Sequence, residues 1–187
     1  LPTEIPVASS SFQRISSPTR LRSARWGNAD STEPVISADG RWVAFTSAAD
    51  NLVSNDSEGY VDVFLSDRSS GSVIRVSQKF SGEGGNGDSG LPSISANGRY
   101  VAFVSGASNL SAKDTDRGDD VYVWDRESRQ LELVSLRADG LLAGNGGSDG
   151  PAISADGRWV AFASESSDLV PNDRNRRKDV FLRDRVG

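Results

Sequence analysis

The sequence predicts an all-β chain of tandem four-stranded sheets, and three observations carry that reading. First, Pro34-Val-Ile-Ser-Ala-Asp-Gly-Arg-Trp-Val-Ala-Phe-Thr-Ser47 returns as Pro92-Ser-Ile-Ser-Ala-Asn-Gly-Arg-Tyr-Val-Ala-Phe-Val-Ser105 and Pro151-Ala-Ile-Ser-Ala-Asp-Gly-Arg-Trp-Val-Ala-Phe-Ala-Ser164, about 60 residues apart each time. Second, each copy passes through a polar loop into Asp62-Val-Phe-Leu-Ser-Asp-Arg68, Asp120-Val-Tyr-Val-Trp-Asp-Arg126 or Asp179-Val-Phe-Leu-Arg-Asp-Arg185. Third, the apolar runs are short, β-branched or aromatic, and bounded by Gly, Asp, Asn and Ser, as strands of an all-β repeat are.

In the first copy, strands are expected at Val35–Ser37, Trp42–Ser47, Val63–Leu65 and Val73–Ser77. The first hairpin turns at Ala38-Asp39-Gly40-Arg41, where Gly supplies a positive φ and Asp a local side-chain acceptor. The third and fourth strands are joined by the equally short Asp67-Arg-Ser-Ser-Gly71. Four antiparallel strands repeated in tandem make a β-propeller blade, which buries both faces of its sheet against neighbours. The chain therefore reads as one propeller domain over 1–187, with blades at approximately 34–77, 92–135 and 151–185.

These motifs, Ser-Ala-Asp-Gly-Arg-Trp-Val-Ala-Phe followed by Asp-Val-Phe-Leu-x-Asp-Arg, resemble the WD-repeat-like blades of the TolB type. The resemblance covers residues 34–185 in three copies. It implies a propeller fold and a periplasmic or secreted setting. It also implies uses ranging from protein docking to peptidase lids and sensors, among which fold alone does not choose.

Phe12-Gln-Arg-Ile-Ser16 matches the fourth strands Val73-Ile-Arg-Val-Ser77 and Leu131-Glu-Leu-Val-Ser135, whereas the third copy runs to Asp184-Arg185 without such a strand. Residues 12–16 are therefore expected to close a last blade, the device by which many rings remove their open edge. Propellers hold roughly four to eight blades. Three blades per chain thus predict a homodimer with a six-bladed ring, each N-terminal strand completing its partner's last blade. With Leu at position 1 and no Met, the 187 residues are expected to be a processed or excised chain.

Composition narrows the function classes. With 36% hydrophobic and 25% charged residues, the chain has the balance of a folded domain. No run approaches the roughly 18 apolar residues that span a bilayer, so membrane insertion is not expected. A net charge of -5 disfavours wrapping phosphate backbones, so no nucleic-acid partner is expected. The sequence contains no His and no Cys, which removes Ser-His-Asp and Cys-His nucleophile systems and zinc-thiolate chemistry. No catalytic residue is assigned.

In an up-and-down blade the loop after strand two and the connector after strand four leave from one end, so the long loops share a face, and recognition is expected there. The Asp39-Gly40-Arg41, Asn97-Gly98-Arg99 and Asp156-Gly157-Arg158 turns resemble the Asp-box of sialidases with one residue fewer. Turn chemistry accounts for them, with Asp67, Asp125 and Asp184 as partners for the arginines. The long loops carry a second pattern: Asp56, Glu58 and Asp62, then Asp114, Asp116 and Asp120, then Asp173, Asn175 and Asp179. Oxygen ligands at relative positions 1, 3 and 7 resemble the opening of a calcium loop, without the distal bidentate Glu. Calcium is therefore the candidate cofactor, expected in the first two loops and disfavoured in the third, which Arg174, Arg176, Arg177 and Lys178 crowd.

The third pattern is Asn28, Asn86 and Asn145, in the connectors before each blade, either as turn formers or as readers of sugar hydroxyls. Trp42, Tyr100 and Trp159 share one position in strand two and are expected to pack between blades. Trp26 falls outside that pattern, so it joins the three Asn as a candidate ligand contact. The function expected is a non-enzymatic binding or scaffolding propeller for a protein or glycan ligand. The alternatives are a calcium-dependent or carbohydrate-binding lectin-like propeller and, more remotely, a carboxylate glycoside hydrolase.

Overall fold

A computed structural model describes residues 12–18 and 26–187. Eleven strands and no helix make up the described residues. Blade 1 comprises β1 (Ser31–Ile36), β2 (Trp42–Ser47), β3 (Asp62–Asp67) and β4 (Ser72–Arg75). Blade 2 comprises β5 (Ser89–Ile94), β6 (Tyr100–Ser105), β7 (Asp120–Asp125) and β8 (Leu131–Leu133). Blade 3 holds β9 (Ser148–Ile153), β10 (Trp159–Ser164) and β11 (Asp179–Asp184). Each sheet is an antiparallel meander of sequential strands, as an all-β propeller requires.

The first strand of each blade begins earlier than its sequence suggests. It continues past a bulge between Thr32 and Val35 in β1, and at the matching place in β5 and β9. Glu33 (φ 52°), Leu91 (φ 52°) and Gly150 (φ 59°) occupy equivalent bulge positions. A proline beside a bulge gives up no regular ladder bond, which is why Pro34, Pro92 and Pro151 do not start the strands but interrupt them. Beyond the bulge, side-chain pairs hold the ladder: Ser31–Ser47 (2.9 Å), Ser89–Ser105 (2.8 Å) and Ser148–Ser164 (2.9 Å).

Alternation along the strands sends side chains to both faces, so the core lies between sheets. Trp42, Ala44, Val63, Leu65 and Val76 of blade 1 meet Val101, Phe103, Tyr122, Trp124 and Leu133 of blade 2. Ala102, Val104, Val121, Val123 and Val134 of blade 2 meet Val160 and Phe162 of blade 3. A third cluster, Phe45, Ala49, Leu52, Phe64 and Val73, lies on the other face of blade 1.

The Asp-Gly-Arg turns are structural fasteners. Arg41 grips Asp67 through Nε (3.0 Å) and Nη2 (2.9 Å), and Arg99 grips Asp125 in the same bidentate way (2.9 and 2.8 Å). Arg158 and Asp184 repeat the pair. Successive turns are also tied to one another, Ala38 N–H to Ala96 O (2.9 Å) and Ala96 N–H to Ala155 O (3.0 Å). Gly98 has φ 64° and lies against the Trp42 ring, where a Cβ would stand 2.4 Å from Cδ1. Arg126 covers that ring from 3.9 Å, so Trp42 is a packing residue between blades, as its position in the repeat suggests.

Residues 12–18 do not form a strand. Ile15 packs against the Phe45–Leu52–Phe64 cluster of blade 1 instead. The edge that residues 12–16 match belongs to β11 in blade 3, whereas blade 1 packs on blade 2 and blade 2 on blade 3. β11 consequently has no fourth-strand neighbour among the described residues, and Val180 (81% exposed) and Leu182 (65%) face outward.

Candidate functional site

The long loops and the connectors share one face, as strand directions dictate, and hydrogen bonds knit them together. Asn55 Nδ2 donates to Gly82 O (2.6 Å), Val61 N–H to Asp88 Oδ1 (2.8 Å), and Lys113 Nζ to Gly140 O (3.0 Å). The three recurring asparagines are the clamps. Asn28 N–H donates to Asn51 Oδ1 (3.0 Å) and Asn86 N–H to Asn109 Oδ1 (2.9 Å), while Asn145 N–H donates to Asp168 Oδ1 (3.0 Å). Their amide groups are engaged as well: Asn86 Nδ2 with Ser108 Oγ (3.2 Å) and Asn145 Nδ2 with Ser167 Oγ (3.1 Å). These contacts tie each connector to the long loop 22 or 23 residues further along the chain. Trp26 is 48% exposed, with the Arg14 guanidinium 4.1 Å above its ring.

A polar groove opens on this face in blade 3. It is lined by Asn145, Glu165, Ser167, Arg176, Arg177 and Lys178. Lys178 Nζ reaches Asp149, leaving the two arginines as exposed cations of an acidic chain.

The acidic pattern has a different environment in each blade. In blade 1, Asp56, Glu58 and Asp62 converge on the buried Arg75, whose Nη1 donates to Glu58 Oε2 (2.9 Å), Asp62 Oδ2 (3.3 Å) and Asp56 Oδ1 (3.4 Å). Nη2 adds a bond to Asn55 O (2.6 Å). The guanidinium occupies the place that the loop pattern offered to calcium. Gly84 makes room for it, since a Cβ there would lie 2.6 Å from Nη1. The bond from Arg75 holds the Glu58 carboxyl down at about 2, while burial pushes Asp56 up to about 6.

In blade 2 the register puts Leu133 opposite Tyr122, as Arg75 stands opposite Phe64. Asp114 and Asp120 are buried (6% and 2% exposed), and Asp116 is exposed. Tyr122 Oη donates to Asp114 Oδ2 (2.9 Å), Ser135 Oγ to Asp120 Oδ1, and Gly118 N–H to Asp116 Oδ1 (2.7 Å). Burial, followed by the nearby acids, raises Asp120 to about 7. In blade 3, Asn175 Nδ2 donates to Asp179 Oδ2 (2.6 Å), and the loop is exposed around it.

No protein-family model and no curated protein matches the sequence. Solved structures do. TolB from Acinetobacter baumannii superposes with a TM-score of 0.51 at 18% identity, over 84% of this chain and 30% of that one. A TolB-type protein from Agrobacterium tumefaciens gives 0.50 at 20% identity, over 80% and 44%. The chain has the fold of TolB-type propeller blades. The tricorn protease also superposes, with a TM-score of 0.51 at 15% identity, over 81% of this chain and 12% of that one. The chain thus spans less than half the length of each of these three proteins.

Proposed function

We propose that this propeller module binds rather than transforms its ligand, and that it does so on the long-loop face. The observation that carries the reading is the groove of Asn145, Glu165, Ser167, Arg176, Arg177 and Lys178. It sits on loops that the asparagine clamps tie to one another, and loop side chains presented on a sheet scaffold suit recognition. Its two arginines favour an acidic protein segment as ligand. A sugar ligand is the second reading, but the Asn145 and Ser167 polar groups already bond each other, which favours the protein. The TolB-type fold adds a periplasmic or secreted setting to the proposal.

Fluorescence anisotropy with glutamate-rich peptides should show saturable binding that weakens at least tenfold in Arg176→Ser/Arg177→Ser. Binding to a glycan array with no peptide binding would replace this reading with the lectin-like one. Saturable turnover of a glycoside panel would overturn it in favour of catalysis.

The same proposal includes assembly with a second copy, which supplies the neighbour that β11 does not have among the described residues. Aligned on β4, residues 12–16 bring Arg14 to the position of Arg75 and Ser16 to that of Ser77. Ser77 Oγ donates to Asp62 Oδ1, and Asp179 is the equivalent of Asp62. Arg14 from the partner would accordingly meet Asp173, Asn175 and Asp179, and the strand would cover Val180 and Leu182. Ile15 already lies on blade 1 where Val76 and Val134 lie between blades, so one segment would fasten both sides of each junction. Native mass spectrometry should find a dimer that Val180→Asp converts to monomer without loss of fold. A wild-type monomer at micromolar concentration would refute the assembly.

A further inference from the structure

Blades 1 and 2 carry an acidic triad at equivalent positions, Asp56, Glu58 and Asp62 in one and Asp114, Asp116 and Asp120 in the other, but among the described residues only the first meets a cation. In blade 1, Arg75 satisfies Asp56 Oδ1 and Asp62 Oδ2. The corresponding atoms of blade 2 are Asp114 Oδ1 and Asp120 Oδ2. Both are buried, and neither has a hydrogen-bond partner. None of the ion pairs among the described residues involves Asp114, Asp116 or Asp120.

The exchange is concerted. Arg75 becomes Leu133, Gly84 becomes Ala143, and Phe64 becomes Tyr122, whose hydroxyl reaches the other oxygen of Asp114. The Tyr122 and Ser135 hydroxyls turn the Asp114 and Asp120 carboxyls so that one oxygen of each remains for another ligand. Buried carboxylate oxygens without partners are costly, because water no longer solvates them. Oxygens from Asp114, Asp116 and Asp120 lie within 4.8 Å of one another, about twice a Ca–O bond of roughly 2.3–2.6 Å.

We propose that Asp114, Asp116 and Asp120 bind a divalent cation of the calcium type, in the place that the Arg75 guanidinium fills in blade 1. A pair of orphaned oxygens carries this reading, together with an internal counterpart that holds a positive charge at the same two atoms. Calcium suits the site better than magnesium. Three carboxylates on a loop and a strand end can be completed by water in an irregular shell of six to eight oxygens, whereas magnesium demands near-octahedral geometry. This inference is independent of the ligand groove in blade 3.

The test is calorimetric titration of the chelator-treated full chain with calcium chloride, and separately with magnesium chloride, alongside thermal melts. One calcium site per chain is expected, and at a hundredfold excess over Kd the melting temperature should rise by about 5–10 °C. Asp116 is exposed, and Asp116→Asn keeps an acceptor for the Gly118 N–H, so this variant should melt as wild type without calcium yet bind it at least tenfold more weakly. Leu133→Arg/Ala143→Gly, which installs the cation of blade 1, should abolish the site while retaining the fold. Absence of both calcium heat and a melting shift would overturn the proposal. Calcium binding left unchanged in both variants would do the same, because the ion would then sit elsewhere.

Discussion

Blades 1 and 2 have the same strand register and the same Arg–Asp fasteners, and among the buried positions at which they differ, three lie around the acidic loop. Phe64, Arg75 and Gly84 in one correspond to Tyr122, Leu133 and Ala143 in the other. The positions that hold a blade to its neighbour repeat, while the groups that neutralise its buried acids do not. A tandem repeat thereby fixes its scaffold through local rules, and changes the chemistry of a loop by exchanging side chains that lie beyond it in the chain, Arg75 for Leu133 on the fourth strand among them.

The largest effect is expected from making blade 1 resemble blade 2. Arg75→Leu/Gly84→Ala would leave Asp56 and Asp62 buried without their cation, and removing one partner of such a cluster costs about 3–5 kcal/mol. Chemical denaturation should show that loss in the presence of chelator, and calcium should recover part of it. An unchanged stability would mean that Arg75 does not balance the triad, and the contrast between the blades would lose its basis.

A smaller effect tests what the blades share. Asp67→Asn and Asp125→Asn each break a bidentate pair, and should cost about 1–2 kcal/mol at neutral pH. The bond from Arg99 lowers Asp125 from 3.8 to about 2. Its stabilisation is therefore complete above about pH 4 and fades as the pH falls towards 2, where the carboxylate of the folded state takes up its proton. Denaturation curves over that range should show Asp125→Asn converging with wild type, and Asp67→Asn should behave alike. A pH-independent gap would assign the loss to packing rather than to the ion pair.

Much of this was legible in the residues because it is local or periodic. The hairpin turns follow from Asp39-Gly40-Arg41, and the arginine partners Asp67, Asp125 and Asp184 recur at one offset. The strand starts were not legible, since Pro34 looks like an opening residue and the bulge at Glu33 leaves no clear mark in composition. Nor was the partner of the first acidic loop, because Arg75 lies on β4, beyond β3, and meets the loop only through folding. Its signal was a break in the repeat: Arg75 against Leu133, with Gly84 against Ala143. The asparagines were visible as turn residues, but their loop partners Asn51, Asn109 and Asp168 become partners only when the two loops emerge from the same end of the sheet.

Crystals grown with calcium and measured for anomalous scattering separate the two blades, since the proposed external cation belongs to the triad of blade 2, where blade 1 carries its own. One difference peak is expected among Asp114, Asp116 and Asp120, and none among Asp56, Glu58 and Asp62. A peak in blade 1, or none in blade 2 at saturating calcium, would contradict the proposal.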